Sequence, residues 1–252
     1  MIGIVVVSHS PALAEAAVAL ALEMVPGDKP AIAVAAGAGE GVIGTDAAKV
    51  AEAIESVSTG EGVLVFMDLG SAVMSTELAL EFLSDPDIPV KLTSAPFVEG
   101  LIAGIVRAAG GASLEDVESE ARGALAAKAA QLGDTDAAAS DQSAPVASTL
   151  TATTPPDSAL SVDLELVNPT GLHARPASLL ATAMAKLDAT VTIQNLRSGA
   201  APARADSTIA ILTLGTKLGD TVRVTASGPE AMSAIDTVTS LVRGGFGELD
   251  AK

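Results

Sequence analysis

The chain has 252 residues, with 31 acidic against 14 basic side chains and a formal net charge of −17. It contains no cysteine, tryptophan or tyrosine, which excludes disulfides, thiolate metal sites and an aromatic stacking platform for single-stranded nucleic acid. The acidity repels phosphate backbones and so argues against nucleic-acid partners. No uncharged apolar run reaches the roughly 18 residues that a membrane span requires, and no basic segment precedes the first apolar stretch as in a secretory leader. A cytoplasmic location is expected.

The first half alternates strand and helix patterns. Short β-type runs at 2–7, 31–36, 62–67 and 90–93 are interleaved with helical patterns at 12–24, 44–57, 71–83 and 97–110. This order predicts parallel βαβ units, a small doubly wound α/β domain. A further helix is expected over 113–132, with Ser113 as N-cap and Glu115 and Asp116 in its first turn. The glycine-rich stretch 37–41 lacks a following Lys-Ser/Thr, so it reads as a turn and not as a nucleotide loop. From 133 to 159 the sequence dissolves into Ala, Ser, Thr, Asp and Pro, the composition of a flexible linker.

Alternation resumes at 160–167. A helix over 174–186, strands at 190–195 and 200–205, a short helix at 207–214, a strand at 221–226 and a last helix at 229–243 follow. The order βαββαβα predicts an α+β open-faced sandwich with helices on one side of a mainly antiparallel sheet. The expected domains are therefore 1–132, the linker 133–159, and 160–252.

The only two histidines, His9 and His173, each fall between a strand and a helix start. Unpaired N–H groups and the positive dipole end at such a position favour an anion, so an imidazole there can accept and release a phosphoryl group. In GLHARPAS, His173 stands at the N-cap, Pro176 fits the first turn, Gly171 permits the turn before it, and Arg175 offers a cation to phosphoryl oxygens. On these residues alone, a capping histidine beside a solvated arginine remains the alternative. His9 ends the first strand, and Asp68 ends the strand 62–67. Carboxyl ends of neighbouring parallel strands converge at the ligand crevice of open α/β sheets, where Asp68 can fix the tautomer of His9. A plain surface histidine remains the alternative there. Gly70-Ser71 opens a helix whose N–H groups can meet phosphoryl oxygens.

Residues 160–248 resemble HPr, the histidine phosphocarrier of the phosphoenolpyruvate-dependent phosphotransferase system, on Gly171-Leu172-His173-Ala174-Arg175-Pro176-Ala177 and the segment 206–215. Residues 1–132 resemble mannose-type IIA domains. Ser8-His9-Ser10, Ile43-Gly44-Thr45, and Met67-Asp68-Leu69-Gly70-Ser71-Ala72 followed by Glu77 match the form found in the phosphoryl-donor (DhaM) family of phosphoenolpyruvate-dependent dihydroxyacetone kinase. The resemblance implies phosphorylation of His173 at its pros nitrogen and of His9 at its tele nitrogen. It makes Arg175 the phosphoryl-stabilising cation and Asp68 the residue that orients His9.

It also implies a relay from enzyme I through His173 and His9 to ADP on a nucleotide-binding (DhaL-like) kinase subunit, which acts with a substrate-binding (DhaK-like) subunit on dihydroxyacetone. No third histidine exists, so phosphoryl entry is expected from a separate enzyme I, directly or through free HPr. No cofactor is expected on this chain, the nucleotide belonging to the partner. A homodimer through the IIA-like domain is expected. Ser207 falls where some HPr proteins carry a regulatory phosphoserine, and a simple helix N-cap explains it equally. A IIA–HPr component of a sugar transporter, or a regulatory phosphocarrier, are the alternative functions.

Overall fold

A computed structural model describes residues 1–25, 27–39, 41–132, 159–199 and 201–249, so the expected linker at 133–159 lies, all but Ala159, outside the described residues. Two compact units are present, Met1–Ala124 and Leu125–Lys252.

The first unit is built on β1 (Gly3–Ser8), β2 (Ile32–Ala36), β3 (Val63–Met67) and β4 (Val90–Leu92). They pair in parallel in the order β2-β1-β3-β4. β1 is buried along its whole length, as a central strand covered on both faces must be. Ile2, Ile4, Val6, Leu64 and Phe66 face one apolar cluster, and Val5, Val7, Val63 and Val65 the other. Helices α1 (Pro11–Leu22) and α4 (Phe97–Ala109) contribute to the first cluster, and α2 (Ala47–Val57) and α3 (Gly70–Leu80) to the second. The doubly wound expectation holds.

Two local differences have plain causes. The helix expected from 44 starts at Ala47, because Asp46 caps it by accepting from Ala48 N–H at 2.9 Å. The single helix expected over 113–132 is broken into α5 (Leu114–Arg122), a 3-10 turn (Gly123–Leu125) and α6 (Ala126–Leu132). Gly123 caps α5, and glycine is, after proline, the residue least suited to continue a helix.

The second unit carries β5 (Leu160–Glu165), β6 (Thr190–Asn195), β7 (Ala203–Arg204) and β8 (Thr221–Ser227), all antiparallel, in the order β5-β8-β6-β7. Alternate residues Leu164, Val191, Ile193, Val222, Val224 and Ala226 point into one core with α7 (Ala174–Met184), α8 (Thr208–Thr213) and α9 (Ala231–Arg243). Strand β7 is shorter than expected, and Ala200 lies outside the described residues.

Gly171 sits at φ +68°, and a Cβ there would collide with the Thr216 carbonyl. Leu172 N–H is meanwhile tied to Thr216 Oγ1 at 2.9 Å. Gly171→Ala should therefore lower the stability of the second unit by about 2–4 kcal/mol, combining left-handed strain with overpacking. Urea unfolding checks it, and a loss below about 1 kcal/mol would mean that the loop simply relaxes.

Candidate functional site

The register between β1 and β3 pairs Val7 with Met67, so the residues that follow, Ser8-His9 and Asp68, leave the carboxyl ends of the two strands side by side. Asp68 then gathers three donors. His9 Nδ1 lies 2.9 Å from Oδ1, His9 backbone N–H donates to Oδ2 at 2.9 Å, and Ser8 Oγ reaches Oδ2 at 2.9 Å. The Asp68 side chain is 7% exposed and that of His9 20%. Burial pushes the Asp68 carboxyl up, but the bonds from His9 N–H, the His9 ring and Ser8 outweigh it and hold it below the ordinary aspartate range.

An ionised carboxylate only accepts, so Nδ1 carries the ring proton and Nε2 of the neutral ring is bare. Ser71 Oγ, 2.9 Å away, donates to Nε2. Helix α3 opens there with no capping side chain, leaving the N–H groups of Gly70 and Ser71 without intrahelical partners. The loop after β2 closes the other side. Gly37 N–H donates to Ser8 carbonyl and Gly44 N–H to His9 carbonyl, both at 3.1 Å. Thr45 Oγ1 meets Ser75 Oγ on α3 at 2.7 Å. Gly37, at the start of the expected turn, and Gly44 beyond it are thus tied to the backbone of Ser8 and His9.

At the second histidine, His173 is the N-cap of α7 with extended backbone and makes no side-chain capping bond. Its ring is fixed from elsewhere, Nε2 lying 2.7 Å from Glu248 Oε1. Glu248 is anchored in turn by Asn168 Nδ2 at 3.1 Å, which also donates to Gly171 carbonyl at 2.6 Å. The chain reaches this point through Gly245, Phe246 and Gly247, all at positive φ. Left-handed backbone costs a residue with a side chain about 1–2 kcal/mol. Phe246 is 4% exposed within the core, and burying such a ring contributes about 1.5–3 kcal/mol, which offsets the strain. Arg175 is exposed at the second helical position. A small open hollow of about 240 Å³ beside His173 is lined by Thr170, Leu172, Ala174, Leu212, Gly215 and Thr216.

The structure thus brings Asp68 to His9 and leaves Arg175 on the surface beside His173. Ser207 caps α8 through Ala210 N–H at 3.0 Å. Sequence reasoning missed Ser8, the Ser71 hydroxyl, Asn168 and Glu248. The signal for Glu248 was the Gly-Gly-Phe-Gly run, whose glycines mark a tight left-handed turn.

Residues 3–118 match the family model described as the PTS system fructose IIA component, and 160–243 that described as the PTS HPr component phosphorylation site. The "PEP-dependent dihydroxyacetone kinase 2, phosphoryl donor subunit DhaM" of Listeria innocua is 38% identical over 122 residues, covering 96% of that protein and 48% of this chain. The chain belongs to the DhaM family. The "PEP-dependent dihydroxyacetone kinase, phosphoryl donor subunit DhaM" of Pantoea ananatis is 43% identical over 98% of this chain and 51% of its own length. Its namesake in Escherichia coli K12 is 40% identical over 99% and 52%. The chain spans about half the length of these longer DhaM relatives. Among the described residues, no helix is long and apolar enough to cross a membrane.

Because Asp68 is more acidic folded than unfolded, it adds stability above the ordinary aspartate value near pH 4 and loses it as the pH falls through its own lower value. Asp68→Asn should cost stability at pH 7, and the gap between variant and wild type should narrow as the pH falls below about 4 and close only below the lowered value of Asp68 itself. Urea melts at stepped pH check this. A gap that stays constant down to pH 2 would contradict the assignment.

Proposed function

We propose that the chain is a two-histidine phosphoryl relay. Enzyme I charges His173, directly or through free HPr. His173 passes the group to His9, and His9 passes it to ADP held by a nucleotide-binding kinase subunit that works with a dihydroxyacetone-binding subunit. The observation that carries this reading is the His9 site. One ring nitrogen is bound to a buried carboxylate, and the other is bare, facing a hydroxyl and the open start of α3. A phosphoryl group on Nε2 would find the N–H groups of Gly70 and Ser71 for its oxygens. Asp68 would balance the positive charge that the ring acquires.

His173 at the start of α7, with Arg175 beside it, offers the matching donor. Transfer between phosphohistidines needs positioning and charge compensation more than covalent assistance. The names of the relatives support the kinase as recipient. A second copy docked through the IIA-like unit, the kinase subunits and enzyme I are the partners that this reading entails, with the nucleotide on the partner.

His173→Ala should abolish labelling of His9 by enzyme I and labelled phosphoenolpyruvate unless free HPr is supplied. His9→Ala should keep His173 labelled yet form no dihydroxyacetone phosphate with the kinase subunits. Full turnover by the His9 variant would sink the relay. Asp68→Asn should leave the fold intact and slow single-turnover transfer to the kinase subunit by roughly 10²–10⁴, by analogy with carboxylates that orient catalytic histidines. An unchanged quenched-flow rate would reduce Asp68 to a structural role.

A further inference from the structure

We infer that Glu248 is the positioning residue of His173 and determines which ring nitrogen takes the phosphoryl group. The helix start alone cannot make that choice. As N-cap, His173 makes no side-chain capping bond to α7, and its side chain is 40% exposed, so no hydrogen bond to a capping N–H of α7 fixes its tautomer. Glu248 does distinguish them. Its Oε1 is 2.7 Å from Nε2, and a carboxylate accepts only, so the proton of the neutral ring sits on Nε2 and the lone pair on Nδ1.

The carboxylate is held for this purpose from two directions. Asn168 donates Nδ2 to Glu248 Oε2 and to Gly171 carbonyl, in the loop that leads into His173. Both partners are acceptors, which settles the orientation of the amide. Its Oδ1 is left buried without a partner, an arrangement with a cost that the clamp accepts. From the other side, Phe246 is locked in the core at φ +54° between Gly245 and Gly247, and this turn brings Glu248 back to His173. Glu248 is only 15% exposed.

The transfer step rests on the relay proposed above. The Nδ1 lone pair attacks phosphorus, the P–N bond to the donor's phosphohistidine breaks, and its electron pair returns to the donor imidazole. The Nε2 proton stays in place, shared with Glu248, whose charge balances the phosphorylated ring. At His9 the arrangement is reversed, because Asp68 holds Nδ1 and leaves Nε2 bare. The phosphoryl group would therefore move from Nδ1 of one histidine to Nε2 of the other.

The test needs no phosphoryl donor. With only two histidines in the chain, long-range ¹H–¹⁵N spectra of the full-length protein, assigned with His9→Ala, report the tautomer of His173 at a pH where the ring is neutral. The wild type should carry its proton on Nε2. Glu248→Ala should raise the Nδ1–H share several-fold with an otherwise native amide spectrum. Glu248→Gln, whose amide oxygen can still accept, should restore the wild-type tautomer. A wild-type ring protonated on Nδ1 overturns the inference even if the alanine variant does not fold, as does an unchanged tautomer ratio in a folded Glu248→Ala. A second arm treats each protein with enzyme I and phosphoenolpyruvate and assigns the phosphohistidine isomer by ³¹P NMR. Nδ1-phosphohistidine at His173 is expected in wild type and a mixture of isomers in Glu248→Ala. Failure of enzyme I to label any variant counts against the relay and leaves the tautomer result standing.

Discussion

A neutral imidazole has one bare nitrogen and one protonated nitrogen, and a free ring exchanges them readily. A histidine that must receive a group at a chosen atom therefore has to be held at the other atom. In the relay proposed above, the geometry of both units would answer to this requirement. In the first, Asp68 Oδ1 takes Nδ1 of His9; in the second, Glu248 Oε1 takes Nε2 of His173. Strand register, loop closure and helix starts each serve to bring one acceptor to one nitrogen.

The two solutions differ in how the carboxylate is supported. Asp68 sits at the end of a fully apolar parallel strand, where an uncompensated charge would be expensive. Three donors from the neighbouring strand end meet it, so the strand pairing that buries β1 also solvates the carboxylate. Glu248 belongs to no regular element. It depends on a left-handed turn fastened by a buried phenylalanine and on one asparagine amide. The first arrangement follows directly from the sheet, whereas the second relies on side chains remote from one another in sequence.

That difference explains what the sequence revealed. His9, His173 and Asp68 could be found because each stands at a strand-to-helix junction where period and composition change together. The parallel sheet followed from short apolar runs interleaved with helical patterns, and the antiparallel one from the alternation of apolar residues along its strands. The start of α2 shifted because Asp46 captures its first free N–H groups, and the long helix after Ser113 broke at Gly123; both residues were visible, but a helical pattern over a long window outweighed them. Glu248, Asn168 and the Ser71 hydroxyl were not legible, because nothing periodic links them to a histidine. Glu248 and Ser71 reach the rings only through closure of the fold, at separations of 75 and 62 residues, and Asn168 acts through Glu248.

Those separations have a kinetic consequence. The central strand β1 pairs with β3 across 60 residues of chain, a long parallel connection whose closure entropy is met before the pairing repays it. Contacts of such high order form late in folding. Neither imidazole has its carboxylate until 59 or 75 further residues are in place. A partly folded or nascent chain thus presents histidines with no preference between their nitrogens and no organised anion site. In the relay proposed above, competence for phosphoryl transfer would then mark chains whose long-range pairing is finished.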